Sequence, residues 1–265
     1  MPRRPPPRPP VQALRHADEL LRLAGLRAVE AVFDSDPGRV ERLFFLPEQL
    51  RAVAPFAAML ARARKPYRAV EAAELARIAG SAMHGGIVAI VRPRPVPEFD
   101  PADPARWARR EGLVVVLDGV SNPHNLGAIA RSAAFFGVRR LILSDHPAQA
   151  LPSDAAFRIA EGGLDRLELI RARLPAALAP LGRSFLTVAT ALAPGARPIG
   201  EIARDRPVAL VLGNEEQGVP AATRAACAAV ARIPGRGAVQ SLNVAAAAAI
   251  AIHLFAAAPP AGVAG

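Results

Sequence analysis

The chain has 265 residues, 52% of them hydrophobic, and a formal charge of +10, which is enough apolar material for one large domain or two modest ones. Its longest apolar run, from Val244 to Ala258, contains His253 and falls short of the ~20 residues that cross a bilayer, so no membrane span is expected. Cys227 is the only cysteine and cannot form an internal disulfide, and the opening Met-Pro-Arg-Arg-Pro lacks the apolar stretch of a secretory signal; a cytoplasmic protein is expected.

The charge is unevenly placed. Residues 1–95 carry 16 Arg/Lys against 9 Asp/Glu, whereas residues 96–265 carry 17 against 14. Such an excess attracts a polyanion by releasing its counterions, which points to nucleic acid. A compositional origin stays open, because Lys65 is the only lysine and arginine supplies all the other basic side chains.

In chain order, residues 1–17 begin MPRRPPPRPP and predict an extended, disordered basic tail, since proline fixes φ and removes donors. From Asp18 the pattern reads as helical, with a break at Gly25; a strand follows at 42–46, a helix near 47–63, a strand at 67–70, a helix at 72–79 and a strand at 86–91. That makes a small α/β domain over 18–92. The proline-rich, acidic stretch that follows reads as a linker, placed at 93–110. Over 111–258 strands and helices alternate, which predicts an α/β domain with a mostly parallel sheet covered on both faces; residues 259–265 read as a second disordered tail. No internal repeat is visible.

Three loops stand at the carboxyl ends of predicted strands, where open parallel sheets place their ligands. The first runs from Asp118 to Arg131. Asn122-Pro123 holds the chain extended, Asn125 is placed to cap a helix starting near Gly127, and the exposed N–H groups there favour an anion toward which Arg131 can project. A plain capped helix with a solvated arginine explains this loop equally well. The second, Gly213 to Pro220, has glycines at 213 and 218 for a tight turn and carries Glu215, which could accept hydrogen bonds from a ribose or order a neighbouring helix. No Gly-Lys-Ser/Thr follows, which excludes a phosphate loop of the NTPase kind. The third runs from Ile233 to Asn243 into an alanine-rich helix; Ser241 suits an N-cap, and Asn243, expected in the first turn, suggests a task beyond helix propensity.

Taken in order, Asn125-x-Gly127-x-x-x-Arg131, Gly213-x-Glu215-x-x-Gly218 and Ile233-Pro-x-x-Gly-x-x-x-Ser241-Leu242-Asn243 resemble the three motifs of the SpoU/TrmH (SPOUT) ribose methyltransferases, over residues 113–257. Residues 18–92, with Gly25-Leu-Arg-Ala-Val and His84-Gly-Gly, are similar to that family's L30e-like substrate-binding domain. The resemblance implies a trefoil knot and methylation of a ribose 2'-hydroxyl in structured RNA, with S-adenosylmethionine as cofactor. Ribosomal RNA of the 23S type is the expected substrate; a tRNA enzyme and a catalytically weak RNA-binding or ribosome-assembly protein are the alternatives. It also implies cofactor contacts at Leu212, Gly213, Gly218, Ile233 and Leu242, and catalytic roles for Arg131, Asn125, Glu215, Ser241 and Asn243. A homodimer is implied, with Arg131 free to serve either its own or the partner's cofactor. No metal, membrane or DNA partner is expected. Because a guanidinium keeps its proton in proteins, Arg131 is read as a phosphate holder rather than a base. The chain departs from the family at Gly85, where relatives have Gln, and at Gly235, where they have Met.

Overall fold

In a computed structural model, residues 20–256 are described; both expected disordered tails lie outside these residues. The front part runs β1 (Leu21–Ala24), α1 (Leu26–Ser35), β2 (Val40–Phe45), α2 (Leu50–Arg62), β3 (Tyr67–Ala69), α3 (Ala72–Ala79) and β4 (Ile87–Val91). These strands form a four-stranded sheet in the order β1-β4-β2-β3. Leu21–Ala24, expected to be helical, is a strand: it pairs antiparallel with β4, and sheet pairing overrides a local helical pattern of only one turn before Gly25. Gly25, at φ 95°, makes the turn into α1 that a side chain would oppose.

The second part runs α4 (Asp103–Trp107), β5 (Leu113–Asp118), α5 (Pro123–Phe135), β6 (Arg140–Ser144), α6 (Asp154–Ala160), β7 (Glu168–Ala172), α7 (Leu178–Gly182), β8 (Leu186–Thr190), β9 (Arg197–Pro198), β10 (Val208–Gly213), α8 (Ala221–Ala225), β11 (Ala229–Arg232) and α9 (Val244–Ala256). Its seven strands stand in the order β7-β6-β5-β10-β8-β11-β9, and every pairing is parallel. The two central strands, β5 (LVVVLD) and β10 (VALVLG), are buried along their whole length, as strands covered on both faces must be. From β8 the chain goes out to the edge strand β9, returns to the middle as β10, goes out again as β11 and comes back as α9, which packs on α5, β10 and β5. The β9–β10 connection closes over the end of that helix, with Ile199 and Ile202 buried and Arg204 donating to the Leu254 carbonyl at 2.7 Å.

The proline-rich stretch is ordered and docked. Phe99 N–H donates to the Arg171 carbonyl at 2.7 Å and Arg171 N–H donates to the Pro97 carbonyl at 2.8 Å, so the strand-edge groups of β7 hold what composition alone presents as a free linker. The two sheets share one continuous apolar core, running from Leu23 and Val32 through Leu164 to Leu126 and Leu212. At their junction Arg39 and Asp165 form a buried ion pair of 2.8 Å, and Asp154 accepts from both Arg22 N–H (2.8 Å) and its guanidinium (3.1 Å).

Candidate functional site

The carboxyl ends of β5 and β10 lie side by side, Gly213 opposite Asp118, and the loops that leave them carry the first two motifs. Helix α5 begins earlier than expected. Asn122, not Asn125, is its N-cap, accepting from His124 N–H at 2.8 Å, and Pro123 occupies the first helical position, where its missing donor is no loss. Asn125 therefore lies inside the first turn and is buried among the loops.

The anion at this helix start belongs to the protein. Glu215 accepts from Ser121 N–H and Oγ (both 3.0 Å), Asn122 N–H (3.1 Å) and Asn125 Nδ2 (2.8 Å), which places its charge where the helix dipole favours it. Burial pushes the Glu215 carboxyl up, but these hydrogen bonds outweigh burial and hold it below the usual carboxylate range. Of the two roles open to Glu215, the ordering of a neighbouring helix is the one the geometry displays. Its own loop is closed by Asn214, whose Oδ1 accepts from Glu216 and Gln217 N–H while Nδ2 donates to the Gly119 carbonyl at 2.8 Å. A Cβ at Gly213 would stand 2.1 Å from Gly218 C and Val219 N, so only glycine lets β10 run this close to the returning loop.

The third motif joins the other two. Asn243 Nδ2 donates to Asn125 Oδ1 at 3.1 Å, making a chain from Glu215 through Asn125 to Asn243 that spans all three loops. Asn243 is also the N-cap of α9, accepting from Ala245 N–H at 2.8 Å; the cap expected at Ser241 falls two residues later, because the helix starts at Val244, and Ser241 stays exposed in the loop. Residues 233–242 make no hydrogen bond to the rest of the described residues, and their main-chain groups stand open. Ile233 and Val244, at the two ends of that loop, pack on the core that contains Leu212, whereas Leu242 is half exposed.

Arg131 is not part of this cluster. Six residues beyond Asn125 on an α-helix, it lies about 9 Å further along the axis and about 120° around it. Its guanidinium is exposed and pairs with Glu161 at 2.9 Å. Gly127 serves a close approach by the backbone of α6: a Cβ there would meet the Ala156 carbonyl at 2.5 Å. Sequence reasoning read Asn122 only as holding the chain extended before Pro123, not as the cap, and passed over Asn214 and Glu161. A residue able to cap next to Pro123 was the available signal for Asn122; Glu161 gave none beyond the two glycines after it. Cys227 is half-buried, and burial, with the nearby Asp118 charge, pushes its thiol up to about 12, against the thiolate that a nucleophile needs. Among the described residues no cluster of three metal-ligating side chains occurs, and no helix is long and apolar enough to cross a membrane.

The sequence model of the SpoU rRNA methylase family matches residues 112–253, more than half of the chain, and takes in all three loops. The chain belongs to the SpoU rRNA methylase family. A second model, RNA 2'-O ribose methyltransferase substrate binding, matches residues 22–97. The 23S rRNA (guanosine-2'-O-)-methyltransferase RlmB of Acinetobacter baylyi is 32% identical over 86% of this chain and 94% of its own length. An uncharacterized tRNA/rRNA methyltransferase of Escherichia coli O157:H7, YfiF, is 31% identical over 87% of this chain, which spans 66% of that relative. The AdoMet-bound rRNA methyltransferase of Sinorhizobium meliloti superposes with a TM-score of 0.72 at 28% identity, covering 89% of this chain and 86% of that one. As a member of the family the chain is an RNA 2'-O-methyltransferase that uses S-adenosylmethionine.

Proposed function

We propose that the chain methylates a ribose 2'-hydroxyl of ribosomal RNA as a homodimer, with the site built from Glu215, Asn125, Asn243, Ser241 and Arg131. The observation that carries the assignment of residues is the hydrogen-bonded chain from Glu215 to Asn243, which ties three loops distant in sequence into one rigid floor. S-adenosylmethionine supplies an electrophilic methyl group. The open main chain of residues 233–242 and the half-exposed Leu242, together with the backbone at Leu212, Gly213 and Gly218, fit a ligand held by main-chain groups and apolar contact. Methyl transfer requires the hydroxyl oxygen in line with that group at about 3 to 3.5 Å. Asn243 and Ser241 orient the ribose, and Arg131 holds the neighbouring phosphate through its fork of donors.

Dimerisation is supported by two features. Phe135 on α5 is 81% exposed, and Ile250 and Leu254 on α9 lie partly open on the helix packed against α5, an apolar face next to the arginine. Arg131 also points away from the floor of its own chain, so a second copy brings the two together. Ribosomal RNA is favoured over tRNA by the substrate-binding domain and by the 23S rRNA relative.

The test is transfer of a labelled methyl group from S-adenosylmethionine to total RNA from cells lacking the gene. Wild type is expected to label ribose in the large ribosomal RNA, and Arg131→Ala to label nothing. Label on tRNA alone would overturn the substrate, and label from Arg131→Ala at the wild-type rate would overturn the assignment of that residue.

A further inference from the structure

We propose that Glu161 is a positioning residue for Arg131, an inference that rests on the reading of Arg131 as the phosphate-binding arginine. Helix α6 ends at Ala160, and Glu161 follows in the left-handed conformation at φ 45°, ψ 47°. That position normally takes glycine, because a side chain there opposes its own backbone. A strained glutamate is therefore held where two glycines follow at once. Its carboxylate reaches across to α5 and forms an ion pair with Arg131 Nη1 at 2.9 Å.

The turn that carries Glu161 has no room to drift. A Cβ at Gly163 would stand 2.9 Å from Arg131 Cα and from the Ala130 carbonyl oxygen, so the turn rests on the backbone of the arginine itself. A Cβ at Gly162, at φ +88°, would stand 2.7 Å from Ala31 Cβ and 2.8 Å from the Arg27 carbonyl oxygen, so its other side rests on α1 of the front domain. The backbone that carries the carboxylate is thus fixed relative to the backbone of the arginine it pairs with. Stability is not the purpose of the contact: the two side chains are 57% and 50% exposed, and ion pairs in that setting contribute little to folding. The ion pair engages Arg131 through Nη1, and Nε and Nη2 remain for a phosphate. The tether narrows the rotamers of a long side chain before RNA arrives, at the expense of a negative charge close to the phosphate.

Strain and function then separate in one substitution. Glu161→Gly relieves the backbone and is expected to melt no lower than wild type, while kcat on total RNA from cells lacking the gene falls about tenfold and KM does not rise. Glu161→Gln keeps an acceptor and retains most of kcat. The N–H signal of Arg131 Nε, identified by its loss in Arg131→Ala, reads the tether without substrate: it is dispersed in wild type and Glu161→Gln and moves to the position of a free arginine in Glu161→Gly. Wild-type kcat and KM in Glu161→Gly, or an unmoved Nε signal, overturns the proposal. A wild type that labels no RNA refutes the methyltransferase reading, and the Nε signal still decides the tether.

Discussion

Replacing Glu215 by Gln tests whether one carboxylate organises the start of α5. Two donors face each oxygen: Ser121 N–H and Oγ on Oε2, and Asn122 N–H and Asn125 Nδ2 on Oε1. Either amide orientation of Gln turns an NH2 toward two of them and removes the charge. Hydrogen bonds to charged groups contribute about 1.5–3 kcal/mol each when buried. Glu215 is partly exposed, so water replaces some of the loss and the Ser121 hydroxyl can rotate away; a net destabilisation of about 2 kcal/mol remains. For a domain of this size that is a fall in Tm of roughly 4–8 °C by calorimetry at pH 7. The folded-state pKa of Glu215 is lowered, so its contribution is fully present above the unfolded value of about 4.3 and is lost as pH falls through the folded value. The gap between wild type and Glu215→Gln is accordingly expected to narrow below about pH 4. Equal Tm values at pH 7, or a gap that stays constant down to pH 3, would refute the reasoning.

Asp165→Ala leaves Arg39 charged and buried at the junction of the two sheets and is expected to destabilise by about 3–5 kcal/mol, measured by urea unfolding; a loss below 1 kcal/mol would show that the pair carries no weight. Phe135→Glu puts a charge on the exposed apolar face, and sedimentation should turn a dimer into a folded monomer with methyl transfer abolished; an unchanged sedimentation coefficient counts against that face as the interface. Gly127→Ala sets a methyl group 2.5 Å from the Ala156 carbonyl and should lower Tm by forcing α5 off α6, with a wild-type Tm as the contrary result.

Much of the parallel sheet was legible because its central strands are long apolar runs bounded by glycine, proline and asparagine, and Ala72–Ala79 and Asp154–Ala160 carried clear ends. Leu21–Ala24 was not, since its strand character comes from β4, some seventy residues away, and four residues hold too little periodicity to outweigh the helix that follows. Cap positions slipped for a similar reason. Asn122 and Asn125 suit a cap equally in sequence, as do Ser241 and Asn243, and the choice falls to tertiary bonds with Glu215 and between the two asparagines. The six residues of helix between Asn125 and Arg131 already turn the arginine away from that asparagine once the helix start is known, whereas nothing in the sequence tells that Glu161 meets it.

The shared core and the buried pair at the junction bear on how a target is chosen. Two parts joined by a single apolar mass, with an α1 carbonyl only 2.8 Å from where a Cβ on Gly162 would stand, cannot swing apart without opening that mass to water. The span from the front sheet to Arg131 is therefore set when the chain folds, not when it meets RNA. Such a molecule works as a caliper with fixed jaws. An RNA in which the spacing between target ribose and the feature met by the front domain is altered is therefore expected to be methylated more slowly, whatever its bases.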